Sequence, residues 1–391
     1  MRVALVHDWL VSMRGGERVL EALCELFPDA TLHTLVHVPG SCSPTIERME
    51  IVTSFLDRLP ASRRHHRALW PLFAHAIESF DFTGYDLVLS SSSCVAKGVV
   101  TPARAPHVCY CHTPMRYVWE LFPDYFGEGR AGPLTRLAAS AIAPFWRVWD
   151  ESSARRVDHF IANSRNVARR IERRYGRPAL VIPPPVEVAR FTPRPLDELG
   201  DYFLMVTAFV PYKRVDLAIE AIARSGRPLK IVGHGPERAR LERLARGHAN
   251  IEFLAGCSEA EVARLYERCQ ALVFPGEEDA GITPLEAQAA GRPVIAFGQG
   301  GALETVNGLD EAQAQGAAPT GIFFAEQSAA SLARALERFD ESFRRFDPEA
   351  ARAQAARFDK PRFKAQVAAA IDACLSAGRA TARRDDERSH A

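Results

Sequence analysis

Short runs rich in Val, Ile and Leu recur along this chain with helical stretches between several of them, the pattern of strands buried on both faces of a parallel sheet. They fall at 3–7, 32–36, 86–90, 107–111 and 159–163, and after a proline-rich break the series restarts at 202–207, 229–233, 251–254, 271–274, 293–297 and 321–324. The break carries Pro183, Pro184 and Pro185, then Pro193 and Pro195, and such a stretch cannot continue a helix and is poor in ladder donors. Two α/β units follow, 1–182 and 183–359, with a last helix at 360–377 and a tail, 378–391, expected to be disordered. A chain of 391 residues agrees with this division, since a domain averages roughly 150 residues.

Composition narrows the partners. The chain is 47% hydrophobic and 25% charged, and its 49 basic against 48 acidic side chains leave a net +1. It has core enough to fold and no basic surplus of the kind that recruits nucleic acid, so any anion must be held locally. The eight cysteines are scattered rather than framed for disulfides, and the apolar run 3–6 is too short for an export signal and is closed by His7 and Asp8. Reduced thiols and a cytoplasmic location are the expectation. No window has the 18 or so uncharged apolar residues of a spanning helix, which leaves peripheral contact as the membrane option.

The chemistry should sit where strands end, because open parallel sheets bind ligands at their carboxyl edges and clefts between two units bury small molecules well. Gly15 and Gly16 stand between the first strand and an amphipathic run, where a backbone can approach a phosphate, although Gly-Gly turns of the ordinary structural kind are commoner. His112 follows the 107–111 strand, placed to reach a sugar hydroxyl or a leaving phosphate, or to be satisfied by backbone. Cys109, Cys111 and His112 invite a metal reading, but no second ligand pair has zinc spacing, and none is expected. Lys213 and Arg214 fall at the start of a helix, where the macrodipole disfavours cations, so an anion such as a diphosphate would explain them; a solvated pair accounts for the same residues. Glu277, Glu278 and Asp279 precede Gly281-Ile282-Thr283-Pro284 and Glu286. Thr283 and Glu286 have capping-box spacing, yet carboxylates here could also accept bonds from vicinal hydroxyls.

Taken together, Glu278 and Glu286 within Glu-Asp-Ala-Gly-Ile-Thr-Pro-Leu-Glu-Ala, followed by Gly-Arg-Pro-Val-Ile-Ala (291–296), resemble the retaining glycosyltransferases of family 4. Val-Pro-Tyr-Lys-Arg-Val-Asp (210–216), His-Thr-Pro-Met-Arg-Tyr-Val-Trp (112–119), Gly-Gly-Glu-Arg-Val-Leu (15–20) and Gly-Gly-Ala-Leu-Glu-Thr-Val (300–306) are similar to the bacterial mannosyltransferases of O-antigen and exopolysaccharide synthesis. The likeness extends to about residue 377. It implies the GT-B fold, two Rossmann-like domains facing a cleft, with the C-terminal helix packing back on the N-terminal domain. It also implies roles: Glu286 on the ribose, Glu278 on the donor sugar, Lys213 and Arg214 on the diphosphate, backbone N–H groups of Gly281, Ile282 and Thr283 on sugar and phosphates. Gly15 and Gly16 close on the phosphate, and His112 points at the sugar. Ala208, where an arginine is frequent, and Ala280, where an aromatic is frequent, depart from the family pattern.

The resemblance implies transfer of α-mannose from GDP-mannose to a lipid-linked glycan, without metal or other cofactor. A UDP-sugar donor and a sugar-nucleotide epimerase are the alternatives, and a non-catalytic glycan-binding subunit is a further rival. The segment 58–73, with four arginines, Trp70 and Phe73, suits anionic headgroups at the inner membrane face; a solvated basic loop accounts for the same residues.

Overall fold

The computed structural model describes residues 1–120, 122, 123 and 132–389, with side chains from 377 onward excepted. The chain divides into two units, one made of Met1–Pro184 with Pro361–Ala391, the other of Pro185–Lys360.

Among the described residues, the first unit holds a seven-stranded parallel sheet. Its strands are β1 (Val3–His7), β2 (Thr31–Thr34), β3 (Glu50–Thr53), β4 (Leu87–Ser92), β5 (His107–Cys111), β6 (His159–Ala162) and β7 (Ala179–Val181), in the spatial order β3-β2-β1-β4-β5-β6-β7. Every residue of β1, β4 and β5 is buried, as strands covered on both faces must be. The edge strands β3 and β7 were not anticipated from sequence. Both are short and half exposed, so neither carries the apolar run that marks a central strand. Helix α1 (Gly15–Leu26) covers the sheet with Val19, Leu20, Leu23 and Cys24, an i, i+1, i+4, i+5 face. Gly15 and Gly16 open this helix instead of forming a separate turn before it, and Arg14 stands at its N-cap.

The second unit repeats the design with a six-stranded parallel sheet among the described residues. Strands β8 (Phe203–Val206), β9 (Leu229–Val232), β10 (Ile251–Leu254), β11 (Leu272–Phe274), β12 (Val294–Phe297) and β13 (Gly321–Phe324) are ordered β10-β9-β8-β11-β12-β13. Helix α3, numbered after α2 (Pro133–Ala154) of the first unit, spans Val215–Ser225 and buries Leu217, Ala218, Ala221 and Ile222. Helix α4 is Ile282–Ala289.

The last helix, α5, spans Lys360–Ser389. Phe363, Val367, Ile371 and Cys374, spaced by one helical turn, join the core beneath β1 in the first unit, and Lys364 Nζ lies 3.2 Å from Glu25. The helix continues past 377, where a disordered tail was expected: after Gly378 the sequence holds four arginines and three alanines and contains no proline, so nothing breaks the helical backbone.

Candidate functional site

In each sheet the strand order reverses once, between β1 and β4 in the first unit and between β8 and β11 in the second. At such a point the loops leaving neighbouring strands run in opposite directions and open a crevice at the carboxyl edge.

In the second unit the two loops at the reversal are those that carry the sequence candidates. After β8 the chain makes a 3-10 turn, Pro211–Lys213, and Arg214 then adopts left-handed backbone, φ 51°, as N-cap of α3. A non-glycine residue there stores strain of roughly 1–3 kcal/mol that the surroundings must impose. After β11, the acidic loop brings Glu278 onto Lys213 as an ion pair, with both side chains largely buried. The negative partner that the position of Lys213 demanded is therefore a carboxylate of the protein itself. Arg214 pairs with Asp216, Nε to Oδ1 3.2 Å, and donates from Nη1 to Gln327 Oε1 at 3.2 Å. Gln327 in turn donates to the Pro275 carbonyl at 3.0 Å, tying the two loops together. Nothing in the sequence marked Gln327, because its role depends on a fold-back from beyond β13.

Three glycines let these loops close. A Cβ on Gly276 would stand 2.9 Å from the Tyr212 carbonyl, one on Gly301 would be 2.5 Å from Ala280 Cα, and one on Gly300, at φ +66°, would collide with the Glu278 carbonyl. The Gly301 N–H donates to that same carbonyl at 2.8 Å. Gly281, at φ 78°, is the N-cap of α4, so Ile282 and Thr283 lie in its first turn, where N–H groups have no intrahelical acceptor. This corrects the capping-box reading of Thr283 and Glu286: the helix begins one residue before Thr283, and Glu286 faces elsewhere. Its carboxylate accepts from Arg190 Nη2 at 3.1 Å and from the Tyr266 hydroxyl at 3.0 Å. Burial, and then the Glu286 charge beside it, push the Tyr266 hydroxyl well above its ordinary pKa, so it stays a donor.

In the first unit the reversal brings His7, at the end of β1, opposite Ser91 of β4, and the next strand delivers His112. Ser91 Oγ lies 3.1 Å from His7 Nδ1 and 2.8 Å from His112 Nε2. His7 Nε2 is 3.7 Å from Glu17 of α1, and a Cβ added to Gly16 would stand 3.6 Å from His7 and 3.8 Å from His112. Burial, then the His7 charge, lower the His112 pKa to about 3. Burial opposes charge on His7 too, but the bond and charge of Glu17, with Asp8 and Ser91, outweigh it and raise its pKa. His112 was legible from sequence; Glu17, Ser91 and His7 as its companions were not. Cys109 and Cys111 are plain core residues. Among the described residues there is no group of three or more His, Cys, Asp or Glu that could hold a metal ion, and no helix long and apolar enough to cross a membrane.

Residues 13–190 match the family model Glycosyltransferase Family 4, and residues 191–353 match Glycosyl transferases group 1, so the two abut across the chain. Between them these two glycosyltransferase models cover residues 13–353. Over 117 residues the chain is 35% identical to an O-antigen chain mannosyltransferase C of Escherichia coli, covering 28% of this chain and 32% of that protein. It spans only about a third of the length of the first curated relatives it matches. A GDP-mannose-dependent phosphatidylinositol monomannoside mannosyltransferase of Mycobacterium tuberculosis is 28% identical over 64% of this chain and 77% of its own. Among solved structures, Anabaena Alr3699/HepE in complex with UDP matches 95% of this chain and 100% of its own, with TM-score 0.67 and 17% identity.

Two predictions follow from this geometry. Gly300→Ala should push the Glu278 carbonyl away and loosen its side chain from Lys213. The expected cost is about 1–3 kcal/mol in denaturant unfolding. The second concerns pH. Burial lowers His66 and His107 to about 4, as it lowers His112 to about 3. Folded pKa values below the unfolded 6.5 mean that the unfolded chain takes up protons the folded one refuses, so their stabilisation is full above 6.5 and lost as pH falls towards 4. His7, raised, runs the other way and offsets one share. Thermal melts between these pH values should show the loss, at about 1 kcal/mol or more per lowered histidine, and His107→Asn should flatten the profile.

Proposed function

We propose that this chain is a retaining glycosyltransferase that moves a hexosyl group from a nucleoside diphosphate sugar to a glycan acceptor. The observation that carries the reading is the Lys213–Glu278 pair at the strand reversal of the second unit. A diphosphate arriving against the α4 N-terminus offers Lys213 a stronger anion than Glu278. Once released, the Glu278 carboxylate is free to accept bonds from sugar hydroxyls. Glu286, already oriented by Arg190 and Tyr266, is the residue read as the ribose ligand. Gly281, Ile282 and Thr283 then supply N–H groups to the phosphates, and Arg214 keeps the two loops in register through Gln327.

Chemistry on this site needs charge stabilisation more than a nucleophile. As the bond from the anomeric carbon to the diphosphate oxygen breaks, Lys213 and the helix N–H groups stabilise the departing charge. A phosphate oxygen takes the proton of the incoming hydroxyl on the same face, and the new glycosidic bond forms with retention. In the first unit, His112 is read as the sugar-facing side chain.

Two donors compete. The solved structures that match nearly the whole chain include HepE with UDP and with UDP-glucose, which favours a UDP-hexose. The relatives named for mannose transfer favour GDP-mannose, over shorter or more divergent stretches. Incubation with UDP-glucose, UDP-galactose, UDP-GlcNAc and GDP-mannose in parallel, with a membrane extract as acceptor, should release one nucleoside diphosphate selectively. Lys213→Ala and Glu278→Gln should each lower that release by about 10²–10³-fold with the fold retained. Conversion of a free sugar nucleotide with no acceptor present would instead mark an epimerase.

The lipid-linked acceptor is supported by the surface of the first unit. Arg58, Arg63, Arg64 and Arg67 are exposed, and Trp70 stacks on Trp146 of α2, whose outer face exposes Leu134, Leu137, Phe145 and Val148. Phe73, counted from sequence among the headgroup-facing residues, is buried in the core. Flotation with anionic liposomes at low salt should weaken on changing these arginines to serine, by about 1 kcal/mol per charge; unchanged flotation removes the segment from membrane contact.

A further inference from the structure

The chain Glu17–His7–Ser91–His112 is more specific than a set of buried polar residues. A serine hydroxyl has one proton. Placed between two imidazole nitrogens, Ser91 can donate to only one and must accept from the other. Hence of His7 Nδ1 and His112 Nε2, one is protonated and the other bare. Among the described residues, neither the Ser91 hydroxyl nor His112 Nδ1 has another partner.

Which arrangement holds depends on the charge of His7. If His7 is neutral, its proton sits on Nε2 facing Glu17, Nδ1 is bare, Ser91 donates to it, and His112 carries its proton on Nε2. If His7 is an imidazolium, Nδ1–H donates to Ser91, Ser91 donates to His112 Nε2, and His112 is left protonated at Nδ1. The surroundings decide. Glu17 is 95% buried, and its other oxygen accepts from the Arg14 backbone N–H at 3.0 Å. The Asp8 carboxylate next to His7 is fully buried as well, held by four backbone N–H groups and the Ser93 hydroxyl. The groups facing His7 are thus two carboxylates, a hydroxyl and the neutral His112. A buried carboxylate at 3.7 Å from Nε2 favours the charged form of His7.

We propose that Glu17, His7 and Ser91 are positioning residues that fix His112 as its Nδ1–H tautomer, presenting a hydrogen-bond donor to the sugar at the carboxyl edge of the first sheet. The inference rests on the reading of that edge as sugar-facing, and concerns the proton inventory that makes it a donor rather than an acceptor. The second nitrogen of a functional histidine commonly sets the tautomer of the first. Here the setting is made two residues away, across the strand reversal.

Full-length protein labelled with 15N-histidine allows the nitrogens of His112 to be assigned by long-range proton–nitrogen correlation, without any substrate. The expected result is His112 protonated at Nδ1 and bare at Nε2. In Glu17→Gln, His7 loses its counter-charge and the ring proton of His112 should move to Nε2. Ser91→Ala should lower kcat about tenfold or more with the donor KM little changed, as loss of an orienting partner does, and Ser91→Thr, which keeps the hydroxyl, should restore it. His112 protonated at Nε2 in the unsubstituted protein, or an identical tautomer in Glu17→Gln, overturns the proposal. A correct tautomer in a protein that releases no diphosphate from any donor supports the relay and retires the transferase reading alone.

Discussion

Parallel strands can follow one another only after the chain has crossed back over the sheet, and these crossovers deliver every outgoing loop to one edge. Where the strand order reverses, two such loops diverge and leave a crevice between them. Both sheets of this protein place their ionisable residues there. His7 and Ser91 face each other across β1 and β4, and Lys213 meets Glu278 across β8 and β11. The remaining features of the two sites serve that placement: glycines that let loops touch, a left-handed Arg214, and a glutamine bridging from a third loop.

The two sites differ in how they hold charge. In the second unit an ion pair keeps Lys213 and Glu278 compensated, so neither is stranded in a half-buried place. Glu286 is held by hydrogen bonds from Arg190 and Tyr266, which in the proposed reading limits the reorganisation on binding. In the first unit the charge is one step removed from the edge. Glu17 and His7 are buried, while burial, and then the His7 charge, keep His112 neutral. In the proposed reading, a neutral imidazole donor binds a hydroxyl without bringing a net charge near a developing positive centre on the sugar.

The central strands and the candidate residues after them could be read from sequence because burial on both faces leaves an unbroken apolar run. Strands β3 and β7 could not, since an edge strand is half solvated and its sequence is that of a loop. The capping box failed for a related reason. Thr283 and Glu286 have the correct spacing, but Gly281 can take φ 78° and start the helix earlier, which turns Glu286 towards Arg190 and Tyr266. Local spacing records what a segment permits, and neighbours far along the chain select among the permitted options.

The amino-acid order alone determined two parallel α/β units, the proline-rich break between the strand series, and the loops in which Lys213, Glu278, Glu286 and His112 lie. It did so because strand periodicity, proline and glycine act over a few residues. Only the tertiary structure decided that Lys213 answers to Glu278, that Gln327 ties their loops, and that Glu17 reaches His112 through His7 and Ser91. These pairings join segments tens of residues apart through the register of a sheet, and register depends on packing of both faces at once, which no short stretch of sequence contains.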